Sequence, residues 1–396
     1  MSLLRALRTG HWPSLLAAWL HFEISFMAWV LIGALGVFIS RDLGLSATQK
    51  GVLVAIPLLG GAIARIIVGV CTDRFGPRKT GVITMLLVVV PLAMAWWDGQ
   101  SLSHMIIIGA LLGIAGASFA VSLPLASRAY PIEHQGLAMG VAGSGNSGAI
   151  LSIAFAPLLA EKLGWHAAFG LMLPVVILIA PIYWSLAKDH EQPLRRMPPR
   201  VLRDLVREPD TWRFCFLYSI TFGGFVGLSS YLSIFFVDQY GLTPIQAGWA
   251  AAACALAGSF LRPVGGLMAD HWGGLRVLRV LYPIIAFLSG VVALLLPITF
   301  ALPTVFFMIA CLGIGNGVIF QVVPQRFIRE IGTMSGVIGA AGGLGGFLVP
   351  SVLGLLKDVT GTFAAGFAGF VLVCALAMLA IQQLRRQKGA RALSAI

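Results

Sequence analysis

The stretch GGAIARIIVGVCTDRFGPRK, residues 60–79, sets an arginine inside a run of glycine and aliphatic residues and closes on a polar cluster. On a helix, the four-residue spacing of Gly61, Arg65, Gly69 and Asp73 keeps them near one face. At 1.5 Å per residue, Arg65 lies about 12 Å from Asp73 along the axis. The same spacing recurs in GSFLRPVGGLMADHWGGLR, residues 258–276, as Gly258, Arg262, Gly266 and Asp270, offset by 197 residues. Two apolar segments that each bury one arginine at one depth point to a duplicated, helical membrane protein.

The surrounding sequence agrees. Hydrophobic residues make up 58% of the 396 and charged residues 11%, with a mean hydropathy of +0.92. Soluble domains carry about 25% charged residues, so this chain has too few to cover a water-facing surface. Apolar runs long enough to cross a hydrocarbon core of about 30 Å as helices fall at 14–40, 48–71, 80–97, 103–127, 136–160, 166–187, 211–237, 244–269, 275–297, 302–325, 333–356 and 363–384. No ten-residue alternation of the outer-membrane barrel kind is present. The one long polar stretch, AKDHEQPLRRMPPRVLRDLVREPDTWR at 187–213, divides the spans six and six. The expected fold is therefore all-α, with 12 transmembrane helices in two pseudo-symmetric six-helix bundles. The expected boundaries are an N-terminal bundle at 1–187, a linker at 188–210 and a C-terminal bundle at 211–396. The N-terminal apolar run has no small-residue cleavage site near it and reads as a retained span.

The net charge of +12 would suggest nucleic acid on a soluble surface, but here membrane orientation explains it. Of the 27 Lys and Arg residues, four (Arg41, Lys50, Lys162, Lys357) fall in or near the odd-numbered gaps and Arg65 and Arg262 lie deep inside spans; the other 21 sit in or near the termini and even-numbered gaps. The positive-inside rule puts both termini and the 187–213 segment in the cytoplasm of a multi-pass inner-membrane protein surrounded by lipid. Five scattered cysteines and seven dispersed histidines show no metal spacing or disulfide framework, and no cofactor is implied.

A charge held at mid-bilayer costs at least a few kcal/mol, so it should face a cavity or a partner. Glu23 is the one acidic residue placed clearly inside a span, which leaves one of two buried cations unpaired and favours an anion site over a structural ion pair. Guanidinium is a planar fork of donors suited to planar oxyanions, so two forks across the pseudo-symmetry axis could clamp one small anion. The fifth span, GLAMGVAGSGNSGAI at 136–150, and the eleventh, GVIGAAGGLGGFLVP at 336–350, are dense in glycine. Close helix approach is one reason for this, and pore lining by sliding helices is another.

The parallel halves and the loop GVCTDRFGPRK (69–79), echoed as GGLMADHWGGLR (265–276), resemble the major facilitator superfamily over essentially the whole chain. Pro77 is inserted before Arg78, and His271 replaces the arginine of the second copy. More narrowly, GSGNSG with Asn146, GAAGGLGGF, and the arginines of spans two and eight are similar to the nitrate/nitrite porter family; GIGNGVIFQVVPQRF (313–327) resembles the tenth span of its bacterial members. The resemblance implies nitrate or nitrite as substrate, held between Arg65 and Arg262, helped by Asn146, by Gly143 and Gly342 of the glycine runs and by aromatic walls such as Phe119. It also implies a monomeric carrier working by alternating access, with Asp73, Arg74, Arg78 and Asp270 forming a cytoplasmic gate.

Glu23 could carry a coupling proton for uphill anion import, or instead pair statically with an arginine. Nitrate/nitrite antiport and transport of another small monoanion, such as formate, stay open as alternatives. Tyr231, Ser230, Asn316 and Gln321 could add neutral hydrogen bonds, and Phe26 and Trp29 further walls. No H-E-x-x-H or Walker motif points to an enzyme or a pump, and 187–213 is too short for a signalling domain.

Overall fold

The computed structural model describes residues 9–131, 134–189, 207–327 and 331–393. Most of the expected linker, 190–206, lies outside the described residues. The described residues are helical throughout, and eleven helices are long and apolar enough to cross a membrane. They run from the second span, Ala47–Phe75, through Pro209–Tyr240 as the seventh, to Ala364–Arg385 as the twelfth. The first span completes the twelve but is broken. It consists of helices Trp12–Trp29, Leu31–Ala34 and Gly36–Asp42, interrupted at Val30 and Leu35, whose ψ angles are both 1°.

Local signals account for several ends, and these repeat with the same 197-residue offset as the arginines. Ser46 and Gln49 form a capping box at the start of the second span, as Thr243 and Gln246 do at the start of the eighth. Each box satisfies two backbone donors reciprocally. The same spans end at Gly76 (φ 85°) and Gly273 (φ 82°), a backbone conformation that suits glycine. Pro77, the insertion noted in the sequence, takes the first position of the third span's helix, where its missing N–H costs nothing.

Helix pairing shows the pseudo-symmetry. Spans two and four pack together as eight and ten do, and three with six as nine with twelve. The halves meet where span two packs on eleven, five on eight, and one on seven. Outward-facing Ile63, Ile66, Ile67 and Val70 are more than half exposed, an apolar surface suited to lipid.

Among the described residues, the contacts between the halves gather along part of their length. Toward the end remote from the termini, Gly33 lies against the Ser230 backbone, Gly51 against the Pro350 carbonyl and Gly248 against Pro157. At the same end the Asp358 carboxylate accepts from Ser46 Oγ (2.9 Å) and from the backbone N–H groups of Ala47 (3.0 Å) and Thr48 (2.7 Å). An acceptor there meets both the orphan N–H groups and the positive end of the second span's helix dipole. Lys50 and Asp238 add an ion pair of 2.7 Å. Toward the termini, a Cβ at Gly140, Gly143, Gly266 or Gly336 would meet nothing within 4 Å. Contacts between the halves thus close one end, while these four glycines face free space toward the other, here called the open end.

Candidate functional site

At the inner limit of the open end lies a small recess, open in part to solvent. Arg65 of the second span and Arg262 of the eighth both line it, with Asn146 of the fifth and Gly339 of the eleventh. The remaining wall is aromatic. Phe22 and Phe26 come from the first span, Phe119 from the fourth, Tyr218, Phe222 and Phe225 from the seventh, and Phe320 from the tenth.

Arg65 sits within an unbroken helix of 29 residues and is 8% exposed. Its Nε donates to the Gly116 carbonyl and its Nη1 to the Gly339 carbonyl, both at 3.0 Å, and the second bond crosses between halves. The guanidinium carbon lies 5.7 Å from the Trp29 ring, 6.0 Å from Phe119 and 5.3 Å from Phe222. Arg262 is half-buried, with its guanidinium 5.4 Å from the Phe320 ring. It begins the helix Arg262–Trp272, just after a break at Leu261, and Pro263 follows it. A residue before proline is pushed away from the helical conformation. Tyr218 interacts with both arginines.

Neither arginine has a carboxylate partner among the described residues, and no acidic residue lines the recess. Carbonyl dipoles and ring faces stabilise a cation by about 0.5–2 kcal/mol per ring without cancelling its charge. The recess therefore carries a net positive charge walled by apolar rings. It can attract one small anion and give it guanidinium and amide donors at low hydration.

Of the other residues singled out from sequence, Asn146, Phe26 and Phe119 join the recess and the rest disperse. Asn146 Nδ2 donates to Ser259 Oγ of the other half at 3.4 Å. Gly342 stands behind the wall, because a Cβ there would press on the Tyr218 and Phe222 rings at 2.6 and 2.9 Å. Gly143 faces open space. Tyr231 is 1% exposed, packs on Phe363 at 6.2 Å and lies outside the recess. Asn316 is buried outside the lining, and Gln321 Nε2 donates to Asp270 at 2.5 Å.

Glu23 is 6% exposed, and pairs with neither arginine. It accepts from Ser147 Oγ at 2.7 Å and from the Gly148 N–H. His21 bonds Ser122 and Thr84 instead. The four gate candidates all engage partners in their own half. Asp73 pairs with Arg128 at 2.8 Å, Arg74 covers Phe75, and Arg78 donates to the Trp184 carbonyl at 2.9 Å. With Asp270 held by Gln321, none of them bridges the open end.

Sequence reading named Phe26, Trp29 and Phe119 as walls but missed Phe22, Tyr218, Phe222, Phe225 and Phe320. Tyr218, Phe222 and Phe225 follow one helix face at spacings of four and three, and Phe22, Phe26 and Trp29 repeat that spacing 196 residues earlier. The signal was present but hidden among the 24 phenylalanines of an apolar chain.

Comparison with known proteins agrees with this geometry. Residues 18–350 match the family model of the Major Facilitator Superfamily. The chain is 34% identical to the nitrite extrusion protein of Bacillus subtilis (strain 168), covering 88% of this chain and 90% of that one. It is 35% identical to the probable nitrate/nitrite transporter NarK2 of Mycobacterium tuberculosis (strain CDC 1551 / Oshkosh), over 87% and 88% of the two chains. A crystal structure of a bacterial homolog to the human lysosomal transporter Spinster, inward-facing and occupied, superposes with a TM-score of 0.71 at 16% identity, covering 94% and 96%; at that identity only the fold is shared. The chain belongs to the major facilitator superfamily, in its nitrate/nitrite porter family, whose members are carriers and not enzymes.

Proposed function

We propose that this carrier moves nitrate and/or nitrite across the cytoplasmic membrane by alternating access, as proton-coupled import of nitrate. Two guanidinium groups without carboxylate partners among the described residues, in one aromatic recess, carry the reading. A planar monoanion offers oxygens to both forks, and its single charge offsets the unpaired positive charge without overshooting it. Asn146 supplies a neutral donor, and Gly342 lets the eleventh span approach the wall rings.

The Lys/Arg distribution supports cytoplasmic termini; with that orientation the open end faces inward and the Asp358 and Lys50–Asp238 contacts form the outer closure. The halves 1–187 and 211–396 rock as bodies around the recess, joined by the 188–210 linker, in a monomer. Asp73, Arg74, Arg78 and Asp270 are then the charges available to close the inner end in the opposite state. Import of an anion against a negative interior opposes about 2.3 kcal/mol per charge per 100 mV, which a symported proton on Glu23 would offset.

Nitrate/nitrite antiport is the second reading, favoured by the separation of Glu23 from both arginines. Counterflow in liposomes tests the substrate. Unlabelled nitrate or nitrite inside should drive uptake of labelled nitrate, whereas formate should not. Absence of nitrate and nitrite counterflow, or equal counterflow by formate, would defeat the assignment. Imposed pH gradients separate symport from exchange.

A further inference from the structure

The fifth span is interrupted by a 3-10 turn, Ser144–Ser147, and a stretch of this kind inside a helix commonly marks a functional hinge. Two adjacent residues of the turn face different chemistry. Asn146 lines the anion recess and reaches Ser259 across the halves at 3.4 Å. Ser147 Oγ lies 2.7 Å from Glu23 Oε2 and 2.8 Å from the Ser144 carbonyl oxygen. One hydroxyl proton thus has two acceptors within reach.

That arrangement holds Glu23 in either protonation state. With the carboxylate ionised, the Ser147 hydroxyl donates to it. With the carboxyl protonated, its O–H donates to Ser147 Oγ, and the serine proton turns to the Ser144 carbonyl. No atom moves except the transferred proton and the rotating hydroxyl hydrogen. The Gly148 N–H also bonds Glu23, and a Cβ at Gly148 would collide with the Glu23 carbonyl, so the turn stays in register with the first span.

No other charge competes for Glu23. The second span brings Arg65, which is turned to Gly116 and Gly339. Thr84 of the third and Ser122 of the fourth hold His21, and Tyr183 of the sixth lies tilted against that ring at 5.1 Å. Glu23 forms no ion pair among the described residues.

We propose that Ser147 is a positioning residue that links the proton on Glu23 to the anion in the recess, through the turn it shares with Asn146. An anion competes with Ser259 for the Asn146 amide and so bears on the turn that holds Glu23. Thermodynamic linkage makes the effect reciprocal: proton occupancy alters anion affinity by the same factor. The inference rests on the nitrate/nitrite reading with proton coupling, and it gives a buried carboxylate outside the recess a route to influence it.

The test uses the full chain in liposomes with a trapped pH dye, nitrate as substrate, and Ser147→Ala beside Ser147→Thr. In Ser147→Ala, nitrate-driven proton movement should fall about tenfold, and the pH of half-maximal uptake should rise by up to about one unit, because the charge-assisted bond lost to the carboxylate outweighs the neutral bond lost to the protonated carboxyl. Nitrate counterflow should stay within about twofold, since Ser147 is outside the lining. Ser147→Thr, which keeps the hydroxyl, should restore both proton readouts. Proton movement and pH profile unchanged in Ser147→Ala overturn the linkage, as does parallel loss of counterflow and proton movement. Wild-type nitrate counterflow with no proton movement overturns it while leaving the substrate reading intact. No wild-type counterflow of nitrate or nitrite overturns the substrate reading itself.

Discussion

Arg65 and Arg262 occupy matched positions 197 residues apart, yet their surroundings differ. Arg65 is 8% exposed, lies within a continuous helix and is held by carbonyls from both halves. Arg262 follows a helix break, precedes Pro263 and has one ring beneath it. Duplication preserved the charge and its depth but not the hydrogen-bond environment. One cation is a fixed post tied into the contact between spans two and eleven; the other sits at a joint, bonded to the Tyr218 side chain of its own half.

The sharpest way to break this contrast is to replace each arginine with lysine. A point ammonium keeps the charge but loses the fork, and two charge-assisted hydrogen bonds are worth about 1.5–3 kcal/mol each. Nitrate uptake should fall by about 100-fold or more in both variants. Only Arg65→Lys should also lower thermal stability in detergent, by about 2 kcal/mol, through its lost carbonyl bonds. Equal stability of the two variants would erase the distinction; near-normal uptake by both would remove the clamp itself.

A smaller effect should come from glycines at the two ends of the molecule. A Cβ at Gly343 would lie 2.8 Å from the Ala62 Cβ, whereas one at Gly266 meets open space. Overpacking costs about 1–3 kcal/mol, so Gly343→Val should disfavour this state by about tenfold or more. Gly266→Val should leave this state unharmed and hinder closure of the open end. Accessibility of single cysteines placed at each end reads both shifts, and shifts of the same sign would contradict the geometry.

The smallest effects concern the outer closure. Asp358→Asn keeps an acceptor but removes a charge from a helix N-terminus, worth about 0.3–1 kcal/mol. Lys50→Gln removes a partly exposed ion pair, worth about 0–1 kcal/mol. The same accessibility assay should show a few-fold opening for the first and less for the second. A larger effect for Lys50→Gln would mean the ion pair, and not the helix cap, holds that end.

Much of the fold was legible because its signals are local. Hydrophobic runs and the repeat spacing act within short segments and were read; the Ser46 and Thr243 capping boxes and the Gly76 and Gly273 ends are as local but were passed over. The first span was legible in position, but its breaks at Val30 and Leu35 were not. The arginines stood out because charge is conspicuous in apolar sequence. Phe22, Tyr218, Phe222, Phe225 and Phe320 did not, because an aromatic side chain reads the same whether it faces lipid, core or recess. Tyr231 carried a polar handle on a suitable span, yet the helix turns it toward Phe363 and away from the recess.

By itself, the sequence determined a duplicated twelve-span membrane protein with a cation buried at the same level in each half. Hydropathy, capping and repeat spacing are properties of short segments, which chain order preserves. Only the tertiary structure decided that Arg65 reaches Gly339, that Asn146 meets Ser259, that Glu23 is held by Ser147 instead of an arginine, and that Asp358 caps the second span. These contacts join segments between 113 and 312 residues apart. They depend on how two bundles lean together, and in a carrier that lean is the quantity that changes.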